Sequence, residues 1–355
     1  MRPLLQQIIL TTLLVGCLGD TLGRHEAQGN PDSWRRPRQS SCPNPEDILP
    51  CECTFDDQLG VMDMNCSAVL DEEQLRQVFL ASVPDKQFRA LIITNNPHIR
   101  FLENGVFSDF TFQRIDIMDG VLEVIEEAAL TGSASTVFEM NFHRNNIKDF
   151  PFLSLREFSA LENLNLHYNK IKEIPLFESW SLKEFYIFGN PLAHFPADSL
   201  AGLPNLKTFG ASECDIPEIY PGVFDHQVSL RNVYLQENRL TTIPSGAFRT
   251  TGNTIFHIVL DDNLIVEVAE GAFPDMKEHT SIYLYNNRIR LLDEAVWRPL
   301  LENDVTVWLS GNPLTCGCDA AWAVLNPGLL QQLPNAHCES GVDLAELDPG
   351  IFESC

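Results

Sequence analysis

Cysteine is the residue type in this sequence whose spacing allows the most definite chemistry. Of ten cysteines, eight form two even groups: Cys42, Cys51, Cys53 and Cys66 towards one end, and Cys316, Cys318, Cys338 and Cys355 at the other. Thiols in fours either oxidise in pairs or ligate zinc. The Cys-x-Cys spacings lack the usual zinc turn, and the N-terminal stretch reads as an export signal into an oxidising compartment, so each group is expected to form two disulfides. Spacing alone leaves the connectivity within each group open. Cys17 falls inside the signal, and Cys214 is left over as a buried thiol rather than a reactive one.

Other reactive side chains are sparse. His143 and His167 stand 24 residues apart, with Asp116 and Tyr168 near them in the pattern described below. Two imidazoles begin a metal set that a carboxylate could complete, but no third strong ligand is fixed in register beside them, so a surface histidine pair is expected. No nucleophile has an oriented base, no loop is built for phosphate, and no paired acids share an evident pocket. Catalytic residues, a metal site and a cofactor are therefore not expected, and the chain is not expected to be an enzyme. Asn65-Cys66-Ser67 is the one N-glycosylation sequon, which makes Asn65 the candidate glycosylation site.

The elements that hold these residues follow from a repeated phrase, L-x-x-L-x-L-x-x-N-x-L, clearest at Leu161, Leu164, Leu166, Asn169 and Ile171 and again at Leu230, Val233, Leu235, Asn238 and Leu240. Copies begin at Phe88, Phe112, Val137, Leu161, Leu182, Leu206, Leu230, Ile255, His279 and Asp304, at intervals of 21 to 25 residues. A unit this short cannot bury its own apolar face, so neighbours must stack into a solenoid. In the L-x-L part, alternate side chains point to opposite faces of a short strand. The Asn that closes the phrase recurs at Asn96, Asn145, Asn169, Asn190, Asn238, Asn263, Asn287 and Asn312, with Gly120 and Cys214 as exceptions. An amide carries donors and an acceptor, so a buried Asn can bridge the backbone of successive turns. A second apolar series, Phe107, Leu130, Leu200, Phe224, Phe248, Phe273 and Trp297, closes the far side of each coil. Between the two series there is room for turns and 3₁₀ segments, not for a long helix.

Register turns the outward positions into a map of the concave face. One column reads Ile92, Asp116, Asn141, Asn165, Tyr186, Gly210, Tyr234, Val259, Tyr283, Trp308; the next includes His143, His167, Phe188 and Tyr285. Ten strands make an arc of roughly 45 Å, the size of a protein surface. Aromatic side chains gather in two places: Tyr186, Phe188 and Tyr234, then Tyr283, Tyr285 and Trp308. Rings with polar tips suit a protein-binding patch, and these six are the candidate partner-binding residues.

The ends and the charge complete the plan. Residues 1–19 have Arg2, an apolar run and then small residues, as a signal peptide does. Residues 20–41 are rich in Gly, Pro, Ser and Arg, a composition that predicts a disordered leader. A cysteine cap follows at 42–87, ten repeats at 88–314 and a second cap at 315–355. With 24 Lys and Arg against 49 Asp and Glu, the net charge of −25 repels nucleic acid and anionic membranes. A secreted, extracellular protein without a membrane anchor is expected.

The cap Cys42…Cys51-Glu52-Cys53…Cys66 and the run Asn312-Pro313-Leu314-Thr315-Cys316-Gly317-Cys318 followed by Trp322 resemble extracellular leucine-rich-repeat proteins with cysteine-rich flanking domains. Val61 to Ser67, Leu91 to Thr94, Gly246 to Gly252 and Trp297 to Glu302 are most similar to the leucine-rich, non-catalytic subunits of the secreted luciferases of decapod shrimp and to their non-luminous crustacean relatives. The resemblance implies an α/β leucine-rich-repeat solenoid, curved, with short parallel strands on the concave face and a disulfide cap at both ends. It also implies a protein partner, a smaller secreted catalytic subunit that oxidises coelenterazine in luminescence, and a binding or stabilising role for this chain. The other class the surface allows is a free recognition protein for glycans, matrix or foreign surfaces in innate defence. One departure is His98, which stands where the pattern expects an apolar residue.

Overall fold

The computed structural model describes residues 42–192 and 195–355. The export signal, the leader and Cys17 lie outside the described residues. A hairpin of β1 (Glu52–Asp56) and β2 (Val61–Asn65) begins the sheet. Ten parallel strands follow in chain order: β3 (Gln87–Thr94), β4 (Thr111–Met118), β5 (Glu139–Asn141), β6 (Asn163–Asn165) and β7 (Glu184–Tyr186), then β8 (Thr208–Gly210), β9 (Asn232–Tyr234), β10 (His257–Val259), β11 (Ser281–Tyr283) and β12 (Thr306–Trp308). One strand falls on each copy of the phrase, and each pairs with the copy before it, the nearest place to bury its apolar side. The pairing runs from Ile92 through Asp116, Asn141, Asn165, Tyr186, Gly210, Tyr234, Val259 and Tyr283 to Trp308, the column read from the sequence.

All eight ladder asparagines are buried. Asn169 shows the shared geometry: its amide nitrogen donates to Phe142 O of the preceding coil at 2.9 Å and to Leu166 O of its own at 3.0 Å, while its oxygen accepts from Ile147 N at 3.0 Å. Cys214 keeps only the donor half. Its thiol lies 3.3 Å from Ile187 O and 3.2 Å from Ser212 O, and with no amide oxygen to reach back, Leu192 N–H closes on Asn190 O instead. Gly120 fills the other exception because a Cβ there would meet Asn145 Oδ1 at 2.9 Å.

The second apolar series forms a buried spine. Phe224, Phe248 and Phe273 stack with centroids 5.7 and 5.1 Å apart, and Trp297 is fully buried beyond them. The sequence offered no spine residue for the copies at Val137 and Leu161; Phe152 and Phe177 fill those coils, 5.0 Å apart. Most of the convex side is turns, 3₁₀ segments and two-residue strands, with one exception. An α-helix spans Glu294–Glu302, capped by the Asp293 carboxylate and carrying Trp297 inward, and it tolerates Pro299 although that residue returns no N–H to Ala295 O.

Three positions depart from the sequence register. His98 is exposed, and the apolar place after Asn96 is taken one residue later by Ile99, with both their N–H groups donating to Asn96 Oδ1 at 2.9 Å. In the last two copies, the marker residues His279 and Asp304 are exposed with φ of 65° and 59°, and Thr280 and Val305 turn inward in their place. A left-handed residue just before the strand lets the chain gain one position without shifting the strand itself.

Both ends are closed by disulfides, Cys42–Cys53 and Cys51–Cys66 at one and Cys316–Cys338 and Cys318–Cys355 at the other; Cys214 is unpaired and buried. In the N-terminal cap, α1 (Glu72–Phe79) is started by Asp71, whose carboxylate accepts from Gln74 N at 2.7 Å while the Gln74 side chain accepts from Leu70 N at 2.8 Å. It lays Leu75, Val78 and Phe79 over the first coil. In the C-terminal cap, Trp322 Nε1 donates to Leu292 O at 2.8 Å and fastens the cap to the last repeat.

Candidate protein-binding face

The outward positions of β3 to β12 form one face, and the six candidate aromatics all lie on it, each half-buried rather than free. They are half-buried because they lean on one another. Phe188 lies over Gly210, where a Cβ would meet its ring at 2.1 Å, and it packs against Tyr186 at 5.8 Å and Tyr234 at 6.5 Å. Tyr283 stacks on Trp308 at 6.0 Å with the rings 3° from parallel, and Tyr285 packs 6.3 and 6.0 Å from the two. The two groups meet through Val259, which pairs with Tyr234 on one side and Tyr283 on the other.

Burial sets the chemistry of the polar groups among them. It pushes the Tyr186 hydroxyl above its ordinary range, and the Glu184 carboxylate, which accepts from that hydroxyl at 3.0 Å, adds to the effect. Tyr285 is raised to about 12 for the same first reason. Asp261, 6 % exposed, is pushed up to about 7 by burial, although Tyr285 N–H donates to it at 2.8 Å.

His143 and His167 are neighbours on the outward face, but half-buried rather than free. Their rings lie 6.4 Å apart, and His167 stacks on Phe188 at 4.4 Å, half-buried, with burial lowering it to about 3. Asp116 is buried and paired with Arg114 at 2.9 Å, not turned towards the imidazoles as a ligand. Among the described residues no three His, Cys, Asp or Glu side chains gather as a metal set. Asn65 is exposed on β2 beside Ile92, at one end of the same face, and its side-chain oxygen accepts from Ser67 N at 2.9 Å.

Two edges border the outward columns, and neither is legible in the repeated phrase. The residue before each ladder position is left-handed: Asn95, Asp119, Arg144, Tyr168, Gly189, Glu213, Glu237, Asp262, Asn286 and Gly311 have φ between 52° and 81°. Only two are glycine, so the type offers little warning; the position next to a bound ladder Asn is the available signal. Just beyond β8, β9 and β10 this edge carries Glu213, Glu237 and Asp262. The opposite edge, at the start of β7, β8 and β9, carries Lys183, Lys207 and Arg231, joined by Lys207 N to Lys183 O at 2.7 Å and Arg231 N to Lys207 O at 2.8 Å.

A parallel solenoid with an asparagine ladder, disulfide caps and an aromatic face defines a leucine-rich-repeat protein of the interaction type. Residues 228–289 match the sequence pattern described as "Leucine rich repeat" and residues 85–207 that of "BspA type Leucine rich repeat region (6 copies)". The chain belongs to the leucine-rich-repeat family of the Oplophorus-luciferin 2-monooxygenase non-catalytic subunit: it is 34% identical to that protein of Oplophorus gracilirostris over 318 residues, 88% of each chain. A chain of the solved "Octameric complex of Latrophilin 3 (Lec, Olf), Unc5D (Ig, Ig2, TSP1) and FLRT2 (LRR)" shares the fold, with a TM-score of 0.67 at 16% identity, covering 85% of this chain and 98% of that one. Among the described residues no helix is long and apolar enough to cross a membrane.

Proposed function

We propose that the chain is a secreted, non-catalytic subunit that holds a smaller catalytic protein, of the coelenterazine-oxidising type, against its concave sheet. The observation that carries this reading is the pair of aromatic groups centred on Phe188 and Tyr283, set on a family member whose relative is named a non-catalytic subunit. Half-buried rings that already rest on one another lose little conformational freedom when a partner covers them, which favours tight association. The four disulfides and the apolar start of residues 1–19 support export to an oxidising compartment.

Native mass spectrometry of the secreted material tests the assignment. The expected result is a complex of fixed stoichiometry whose second member emits light with coelenterazine and oxygen, while the isolated chain gives none and slows inactivation of that second member. A chain that leaves the source cells with no constant companion overturns the subunit reading; light from the isolated chain, proportional to its concentration, overturns the non-catalytic one.

A further inference from the structure

The face is bordered by charges of opposite sign. Along one edge Lys207 and Arg231 are exposed and have no carboxylate partner among the described residues, while Lys183 beside them pairs with Glu162. Along the other, Glu213 and Asp262 are exposed and their hydrogen bonds come from neutral donors, the Tyr168 hydroxyl and the Asn286 amide, each at 3.0 Å. From Lys207 to Glu213 the chain takes six residue steps, about 20 Å when extended.

The floor between them is incomplete as a hydrogen-bonding surface. Ser212 Oγ has no partner although the residue is only 2 % exposed, and Gln236 Oε1, His167 Nε2 and Trp308 Nε1 are likewise buried and unpaired. All four hold outward positions of the sheet, Ser212 and Gln236 between these two edges and His167 and Trp308 further along it on either side. Buried polar atoms are nearly always bonded in a finished structure, so these are groups that a partner covering the face can bond.

We propose that the covering partner is two-sided: a protein surface with a strip of carboxylates that meets Lys207 and Arg231, a strip of lysine or arginine that meets Glu213 and Asp262, and polar groups between them for the Ser212 row. This rests on the protein-binding reading above and gives the partner its chemistry and orientation. The chain's excess of negative charge attracts any basic protein. A uniformly basic partner, however, is repelled at the Lys207 edge, and a uniformly acidic one at the Glu213 edge; only a partner with both signs is favoured along the whole width.

Two charge reversals separate these cases. The double variants Lys207→Glu/Arg231→Glu and Glu213→Lys/Asp262→Lys are compared with wild type for association with the protein found in the native complex, immobilised, at about 50 mM and about 500 mM salt, where screening lengths differ severalfold. The expected result is that both reversals slow association, by about tenfold at the lower salt, and that the loss shrinks at the higher. Reversals that act in opposite directions identify a partner of single charge and overturn the proposal. Tyr186→Ala/Phe188→Ala is run alongside: if it loses affinity while both reversals match wild type, the two-sided partner falls and the protein-binding face stands. If all three match wild type, both fall. Thermal melts confirm that the reversed chains are folded.

Discussion

The Tyr168 hydroxyl donates to Glu213 Oε1 at 3.0 Å, reaching across a whole coil to do so, and Gly189 in that coil is what lets it pass. A Cβ on Gly189 would meet the Tyr168 ring at 2.3 Å. Asn286 uses the same device, leaning over Gly311, where a Cβ would meet its Oδ1 at 2.2 Å. A large side chain in one copy is therefore matched by an absent one in the next.

Gly189→Ala should be disruptive for two reasons. Its φ of 64° is costly for any residue with a Cβ, by roughly 1 kcal/mol, and the Tyr168 ring must move, breaking the bond to Glu213. A loss of about 2 kcal/mol in urea unfolding is expected. A variant as stable as wild type shows that the ring can swing clear without cost.

The ladder predicts a contrast between two asparagines four residues apart. Asn169→Ala strands Ile147 N and two buried carbonyls and should lose about 1–3 kcal/mol. Asn165 accepts only from His167 N, on the half-buried outer face, and its alanine variant should lose about 0.5 kcal/mol. Equal losses in parallel urea melts contradict the assignment of inner and outer faces.

What the sequence made legible was whatever recurs with the period. Leucine positions and Asn169-type amides obey a spacing, so strand register and the paired column followed from it. Ile99, Thr280 and Val305 escaped because a local left-handed turn or an inserted residue moves the inward place by one without altering the repeat length. Phe152 and Phe177 escaped because the convex segments vary in length from copy to copy. The aromatic column was legible as outward-facing but its burial was not, because a single column does not show that Phe188 folds over Gly210 or that His167 stacks beneath it. Those contacts depend on which side chain is missing in the next strand.

The buried Asp261 and the half-buried His167 should oppose each other in the pH dependence of stability. Asp261 titrates near 3.8 when unfolded and about 7 when folded, so the folded state holds an extra proton between these values and stability falls as pH rises through them. His167 titrates near 6.5 unfolded and about 3 folded, so below 6.5 the unfolded state binds the extra proton and stability falls as pH drops. From about pH 4 to 6.5 the two slopes cancel. Asp116 and Glu139, both raised first by burial, add to the Asp261 side. Asp261→Asn keeps the acceptor for Tyr285 N and should make stability rise with pH in this window, by at most about 1.4 kcal/mol per pH unit, whereas His167→Gln should make it fall. Urea melts at a series of pH values read the slopes; identical slopes for the two variants refute the assignment.

The aromatic groups give the sharpest division between binding and packing. Tyr186 and Phe188 touch each other, and Phe188 also covers His167 and Gly210, so replacing both by alanine removes real packing. Their inner neighbours Phe185 and Ile187 remain fully buried, however, and carry the coil. The double variant should therefore stay folded with a modestly lower melting temperature, while losing at least about 2 kcal/mol of affinity for the partner, a factor near 30. Tyr283→Ala/Trp308→Ala, at the second group, should behave alike, since its stacked rings face the same way on β11 and β12. Calorimetric titration and melting of each variant separate the two quantities. A large fall in melting temperature with unchanged affinity assigns these rings to the sheet's own packing, and the partner must then be sought on another face.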